Sequence, residues 1–119
     1  MKYRIKQVDN EFYPQYKRFL IWWDFENFCL FNGSISFNSD SLCYDNLTFA
    51  KSFISYQIQC KHKRTKMVVS KCGDVFYFNT DLKSGSKYLV FSNEYLLDKE
   101  LEKINHKPKI VYHKYESSN

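Results

Sequence analysis

The residues best suited to chemistry lie between Lys51 and Gly73. Lys51, Lys61, Lys63, Arg64, Lys66 and Lys71 all fall in this stretch, which holds no acidic residue. Ammonium and guanidinium groups at this density pair with phosphates, each pairing releasing a counterion and making affinity fall as salt rises. Tyr56 and Tyr77, near the run in sequence, offer rings on which unpaired bases stack. The competing reading of the same residues is a solvated loop beside a lysine-protected strand edge. Lys2, Arg4 and Lys6 alternate on one strand face, and they extend the basic patch only where the fold brings the two segments together.

His62 lies inside the run. With His113 it makes a base and acid for metal-independent RNA cleavage, in which Lys63 or Lys66 steadies the pentacoordinate phosphate. This small ribonuclease is the alternative to a binding protein; three histidines in such a chain are expected at the surface by composition alone. Cys60, His62, Cys72 and either His106 or His113 can be drawn around zinc. Structural zinc sites pair their ligands about two to four residues apart at each end, and this set does not, so neither metal nor cofactor is expected. Cys60 closes a predicted helix, where the dipole disfavours a thiolate nucleophile. Asp98, Glu100 and Glu102 fall on a helix whose charges mostly face solvent, a poor cluster for a metal-dependent nuclease.

Trp22 and Trp23 are adjacent, so a strand points them to opposite faces. One belongs to the core and the other is free to be exposed. An exposed tryptophan, Trp22 in this reading, beside Tyr13 or Tyr16 makes a protein-binding hot spot. That gives a third function class, an aromatic-patch interaction module whose binding high salt hardly affects.

A chain of 119 residues is expected to fold as a single domain over residues 1–119, with residues 116–119 a frayed tail. Aromatic residues make up 19%, with eleven Phe and ten Tyr against three Gly and two Pro, which favours sheet over bundle. The net charge of +5 is distributed in blocks: +3 over residues 1–18, −4 over 19–50, +6 over 51–73 and zero beyond. Such blocks create a field that steers encounters with polyanions or acidic surfaces. The four cysteines, Cys29, Cys43, Cys60 and Cys72, form no Cys-x-x-Cys pair, and Lys2, Arg4 and Lys6 interrupt any apolar leader. Free, largely buried thiols in a reducing host cytoplasm are expected. The longest apolar run, Phe19–Trp23, is too short to span a bilayer, and no membrane partner is expected.

The positioning elements follow from pattern. Strands are predicted at Tyr3–Val8 and Phe12–Phe19, the latter an edge strand or one that begins beyond Pro14, because proline removes a ladder donor. A strand follows over Phe19–Phe31, then an Asn32-Gly33 hairpin turn and a strand over Ser34–Asn38. Asp45 or Asn46 caps a helix whose apolar face is Leu47, Ala50, Ile54 and Ile58, flanked by Phe49 and Phe53. Met67–Lys71 and Val75–Asn79 pair through Cys72-Gly73-Asp74. A polar loop over Thr80–Ser86 precedes a strand at Lys87–Ser92. Asn93 caps a second helix carrying Leu97, Leu101 and Ile104, which Pro108 closes, and Lys109–Tyr115 is a last strand. The whole is an α+β domain, a largely antiparallel sheet with two helices packed on one face.

Tyr13-Pro14-Gln15, Lys17, Trp22-Trp23, Phe25, Phe37, Ala50 and Phe53-Ile54, spread over roughly the first half of the chain, together resemble small uncharacterised phage and mobile-element proteins. In size, charge and composition the chain also resembles a small anti-CRISPR inhibitor of type VI-B RNA-targeting nucleases. The resemblance implies a non-enzymatic inhibitor whose partner is a bacterial CRISPR nuclease, its guide RNA, or both. A basic face serves either task. Occlusion of a basic RNA channel would instead rest on Asp24, Glu26, Asp40 and Asp45.

Overall fold

The computed structural model describes residues 1–105 and 110–115. They form an α+β domain in which the antiparallel strands divide into two sheets. β1 (Tyr3–Val8), β2 (Glu11–Arg18) and β3 (Ile21–Asp24) make a three-stranded meander. The second sheet has the order β4-β5-β8-β7-β6, from β4 (Glu26–Phe31), β5 (Ser34–Ser41), β6 (Thr65–Val69), β7 (Val75–Ser84) and β8 (Lys87–Phe91). α1 (Leu47–Gln59) packs against β2 and β6, between the sheets, while α2 (Glu94–Asn105) packs against β7 and β8.

The division occurs at Phe25, inside the stretch expected to be one strand. Pro14 explains it. β2 is the central strand of its sheet, and Pro14 pairs with Ile5 within it, where an edge had been expected. The Pro14 carbonyl accepts from Phe25 N–H at 3.4 Å, but proline has no N–H to return to the Phe25 carbonyl. That carbonyl accepts from Leu42 instead, at 2.8 Å. The missing donor therefore falls where the chain leaves one sheet for the other. The Phe25 ring turns inward onto Phe53, at 4.9 Å between centroids.

α1 begins at Asn46, whose side chain accepts from Thr48 and Phe49 N–H at 2.8 and 3.3 Å. Its buried line is not the expected one. Ala50 and Phe53 are buried and Phe49, Ile54 and Tyr56 pack on the core, whereas Leu47 and Ile58 are exposed. The rings on one flank bury more area than the aliphatic chains on the other and rotate the helix toward them. In α2, capped by Asn93 onto Leu96 N–H at 2.9 Å, Leu97 is fully buried and Ile104 is exposed.

β6 stops at Val69 because Ser70 already turns: its N–H donates to the Asp74 carbonyl and its Oγ accepts from Asp74 N–H. Gly73, at φ 91°, completes that turn. β7 runs on to Ser84, through the expected loop. The pairing shifts register between Phe78 and Lys83, Asn79 and Leu82 are buried across that irregularity, and Lys83 and Ser84 pair again with Tyr88 and Lys87 around the Gly85-Ser86 turn. Residues 110–115 form no strand, contrary to expectation; Ile110, Tyr112 and Tyr115 are exposed. Strand preference expresses fit to a half-buried pleat, and no sheet edge takes this segment. Pro108, Lys109 and the expected tail at 116–119 lie outside the described residues.

The core gathers Phe28, Ile35, Leu42, Tyr44, Val68 and Phe78 beneath α1, which contributes Ala50 and Phe53. Tyr44 donates its hydroxyl to the Val69 carbonyl, and burial pushes its phenol pKa up. No described helix is long and apolar enough to cross a membrane.

Candidate nucleic-acid interface

The turn between α1 and β6 carries most of the basic run. Cys60 caps α1, and its carbonyl accepts from Lys63 N–H at 3.0 Å and from the Lys66 ammonium at 3.1 Å. A cation at the end of α1 satisfies an orphan carbonyl and the helix dipole together. Lys66 is thereby drawn inward and committed to structure. Lys71 is committed as well: its ammonium donates to the Cys43 carbonyl and lies 5.9 Å from the Tyr44 ring centroid. Lys51 stands exposed on the solvent side of α1.

Three cations remain at the turn. Lys61, Lys63 and Arg64 are exposed, and Lys61 and Lys63 have no side-chain partner among the described residues. Arg64 Nη1 meets Asp81 Oδ2 at 2.8 Å, with both side chains mostly in solvent. An exposed pair of this kind contributes about 0–1 kcal/mol, so a phosphate can displace the carboxylate at little cost.

Lys63 and Arg64 border a groove of about 540 Å³ that Gln59, Met67, Tyr77 and Glu94 also line, while Lys61 lies in the same turn outside that lining. Strand alternation accounts for Tyr77 being there. Phe76 and Phe78 face the main core, so Tyr77 between them faces the other way, paired with Met67 and Phe91. The other ring near the run in sequence, Tyr56, packs on the core instead. A ring with cations at its side suits a stacked base and its flanking phosphates.

The N-terminal cations do not join this groove. Ile5, Phe12 and Phe25 pack on the core side of the small sheet, so Arg4, Lys6 and Lys17 point outward on its opposite face. There Arg4 stacks over Trp22 at 4.2 Å, with Lys17 at 5.9 Å. Arg4 Nε donates to Gln15 Oε1 at 2.7 Å, and Gln15 Nε2 donates to Asp24 Oδ1 at 2.7 Å. Ser41 Oγ donates to Asp24 Oδ2 at 2.8 Å. Asp24 is therefore engaged on both oxygens, which weakens the acidic block as an RNA mimic.

Tyr13 shares the outward face with Trp22, and its hydroxyl donates to Glu11, a bond that pushes its pKa up. Tyr16 lies on the other face, paired with Trp23, and it is Trp23 that is 50% exposed. Trp22, Tyr13 and Tyr16 thus form no single patch. A second cleft, of about 410 Å³ between the sheets, is lined by Tyr16, Phe25, Phe37, Phe53, Phe78 and Tyr88. Lys66 reaches its wall but is held by Cys60.

His62 is exposed in the α1–β6 turn and His113 is exposed in the segment 110–115; no contact joins them among the described residues. His106 lies outside those residues. No cluster of three metal-ligating side chains occurs among the described residues. Of the thiols expected to be largely buried, Cys60 is buried, Cys43 is half-buried and Cys29 and Cys72 are exposed, all four unpaired. Cys29 alternates outward between Phe28 and Leu30. Sequence reasoning missed Met67 and Glu94 in the groove, for which only the strand pairing and helix packing carry a signal. Protein-family models, curated proteins and solved structures contain no match to this chain, so its family is not assigned and the groove is read from its own geometry.

Proposed function

We propose that this is a non-catalytic binding protein that takes single-stranded RNA in the groove between the α1–β6 turn and α2. One observation carries the reading: Lys63 and Arg64 border a groove whose wall includes the Tyr77 ring. The anti-CRISPR resemblance makes the guide RNA of a bacterial RNA-guided nuclease the target, reached in the host cytoplasm and inhibited by stoichiometric contact. Lys61, Lys63 and Arg64 contact phosphate, and Tyr77 stacks a base.

The test is mobility of labelled single-stranded RNA at low and physiological salt, with RNA integrity read in the same lanes. Three phosphate contacts on a single strand give a slope of log affinity on log salt of about −2. The triple variant Lys61→Glu/Lys63→Glu/Arg64→Glu is expected to lose binding at least about tenfold with its melting temperature unchanged. Equal affinity in a folded triple variant overturns the groove assignment. Shortened RNA that disappears with His62→Ala replaces it with the ribonuclease.

A further inference from the structure

The hairpin joining β2 to β3 ends in side chains that folding does not bury. Phe19 and Leu20 are 82% and 88% exposed, Ile21 follows them, and Trp23 is half exposed on the core-side face of its strand. Phe19 and Leu20 also occupy the left-handed region, at φ 52° and 66°. A two-residue hairpin loop needs that backbone, but asparagine and glycine adopt it far more readily than phenylalanine and leucine. Two bulky apolar residues held in a disfavoured conformation and left in water stabilise nothing within the chain. Strain of this kind points to a contact outside it.

The surroundings of the tip say what that contact is. No acidic residue occurs from Phe12 to Trp23. Lys17 and Arg18 lead into the tip, and the Arg18 guanidinium lies 5.2 Å from the Phe19 ring. Lys17 N–H donates to the Lys2 carbonyl at 2.9 Å, which brings β1 and its cations alongside. Asp24, the first carboxylate beyond the tip, is turned to Gln15 and Ser41. The hairpin is therefore a convex apolar finger with a cationic collar.

We propose that the Phe19-Leu20 tip inserts into an anionic lipid surface, with Trp23 at headgroup level and Lys2, Lys17 and Arg18 against the headgroups. A strand rises about 3.3 Å per residue, so Leu20 reaches about 10 Å beyond Trp23. Interfacial elements bury their apolar side to about 5–10 Å, with tryptophan at the polar boundary. Lys17 and Arg18 at the end of β2, with Lys2 alongside them, suit a laterally continuous anionic surface, whereas a second copy of the chain would set like charges against each other. The residues differ from those of the RNA groove, and the inference stands independently of that reading. It replaces the expectation, drawn from the shortness of the apolar run, that the protein has no membrane partner.

The experiment uses vesicles of phosphatidylcholine with phosphatidylglycerol at about three to one, and pure phosphatidylcholine vesicles beside them. Sedimentation reads binding, and fluorescence in a Trp22→Phe background reports on Trp23. The protein is expected to sediment with the anionic vesicles and to show a blue-shifted Trp23 quenched by brominated lipid. Phe19→Asn/Leu20→Gly is expected to lower partitioning at least about tenfold while melting no lower than the parent, because the new pair suits the turn. The Lys61→Glu/Lys63→Glu/Arg64→Glu variant is expected to bind vesicles within about twofold of the parent. Absence of binding at low salt overturns the proposal, as does equal binding by the tip variant. Binding without a Trp23 shift, or lost equally in the groove variant, also overturns it by showing adhesion through general charge.

Discussion

The β4–β5 hairpin turns through Asn32-Gly33 and the β2–β3 hairpin through Phe19-Leu20, and all four residues have positive φ, at 49°, 72°, 52° and 66°. In the first, the residues favour the turn and help to set the register in which Phe31 meets Ser34. In the second, the strands must impose it. Arg18 meets Ile21, Lys17 meets Trp22 and Tyr16 meets Trp23, and the hydrogen-bonded chain from Arg4 through Gln15 and Asp24 to Ser41 ties all three strands to β5. One backbone shape can thus be favoured from within the loop or enforced from outside it. The enforced loop is free to carry side chains chosen for another purpose.

A third turn sets the upper limit. Gly73 has φ 91°, and a Cβ there would come within 2.6 Å of the Phe49 ring. Gly73→Ala is expected to lose about 3 kcal/mol in denaturant unfolding, since backbone strain and a clash with a packed ring add. Nothing lies within 4 Å of a Cβ at Gly33. Moving Phe-Leu into this loop, as Asn32→Phe/Gly33→Leu, is therefore expected to cost about 2 kcal/mol from conformation alone.

The reciprocal exchange, Phe19→Asn/Leu20→Gly, is expected to raise stability by about 1 kcal/mol, read as a higher melting temperature. A fall in melting temperature would show that the tip residues contribute to the fold and would end the contrast between the two hairpins. The smallest effect is expected at the exposed Arg64–Asp81 pair. Asp81→Ala should change stability by less than about 0.5 kcal/mol, while RNA retention rises because Arg64 loses its competing carboxylate.

How far the site was legible depends on where its determinants lie. Asn46 as helix cap and Asn32-Gly33 as turn were readable because each acts within about four residues of itself. The basic run was visible too, but its division was not. Lys71 finds a partner 28 residues away at Cys43, and Lys66 folds back onto the helix end, so equal lysines in sequence become unequal in structure. Tyr56 and Tyr77 looked alike beside the run, until strand alternation put one ring in the groove and helix packing put the other in the core. Apart from its two tryptophans, the run Phe19–Trp23 was legible only as too short to span a bilayer. Its exposure follows from the Arg18–Ile21 pairing, which places two of its residues in a loop.

By itself the sequence determined the α+β class, the caps of both helices, most strand positions and the concentration of positive charge in one stretch, since each follows from local backbone preference, periodicity or composition. Tertiary structure alone decided that the chain passes from one sheet to another at Phe25, that Trp23 rather than Trp22 meets solvent, and that two of the six cations border a groove. Those outcomes depend on partners distant in sequence, such as Phe12 with Tyr44 and Phe25 with Leu42. A strand's pattern states that one face will be buried; the element that buries it is chosen only when the chain closes on itself.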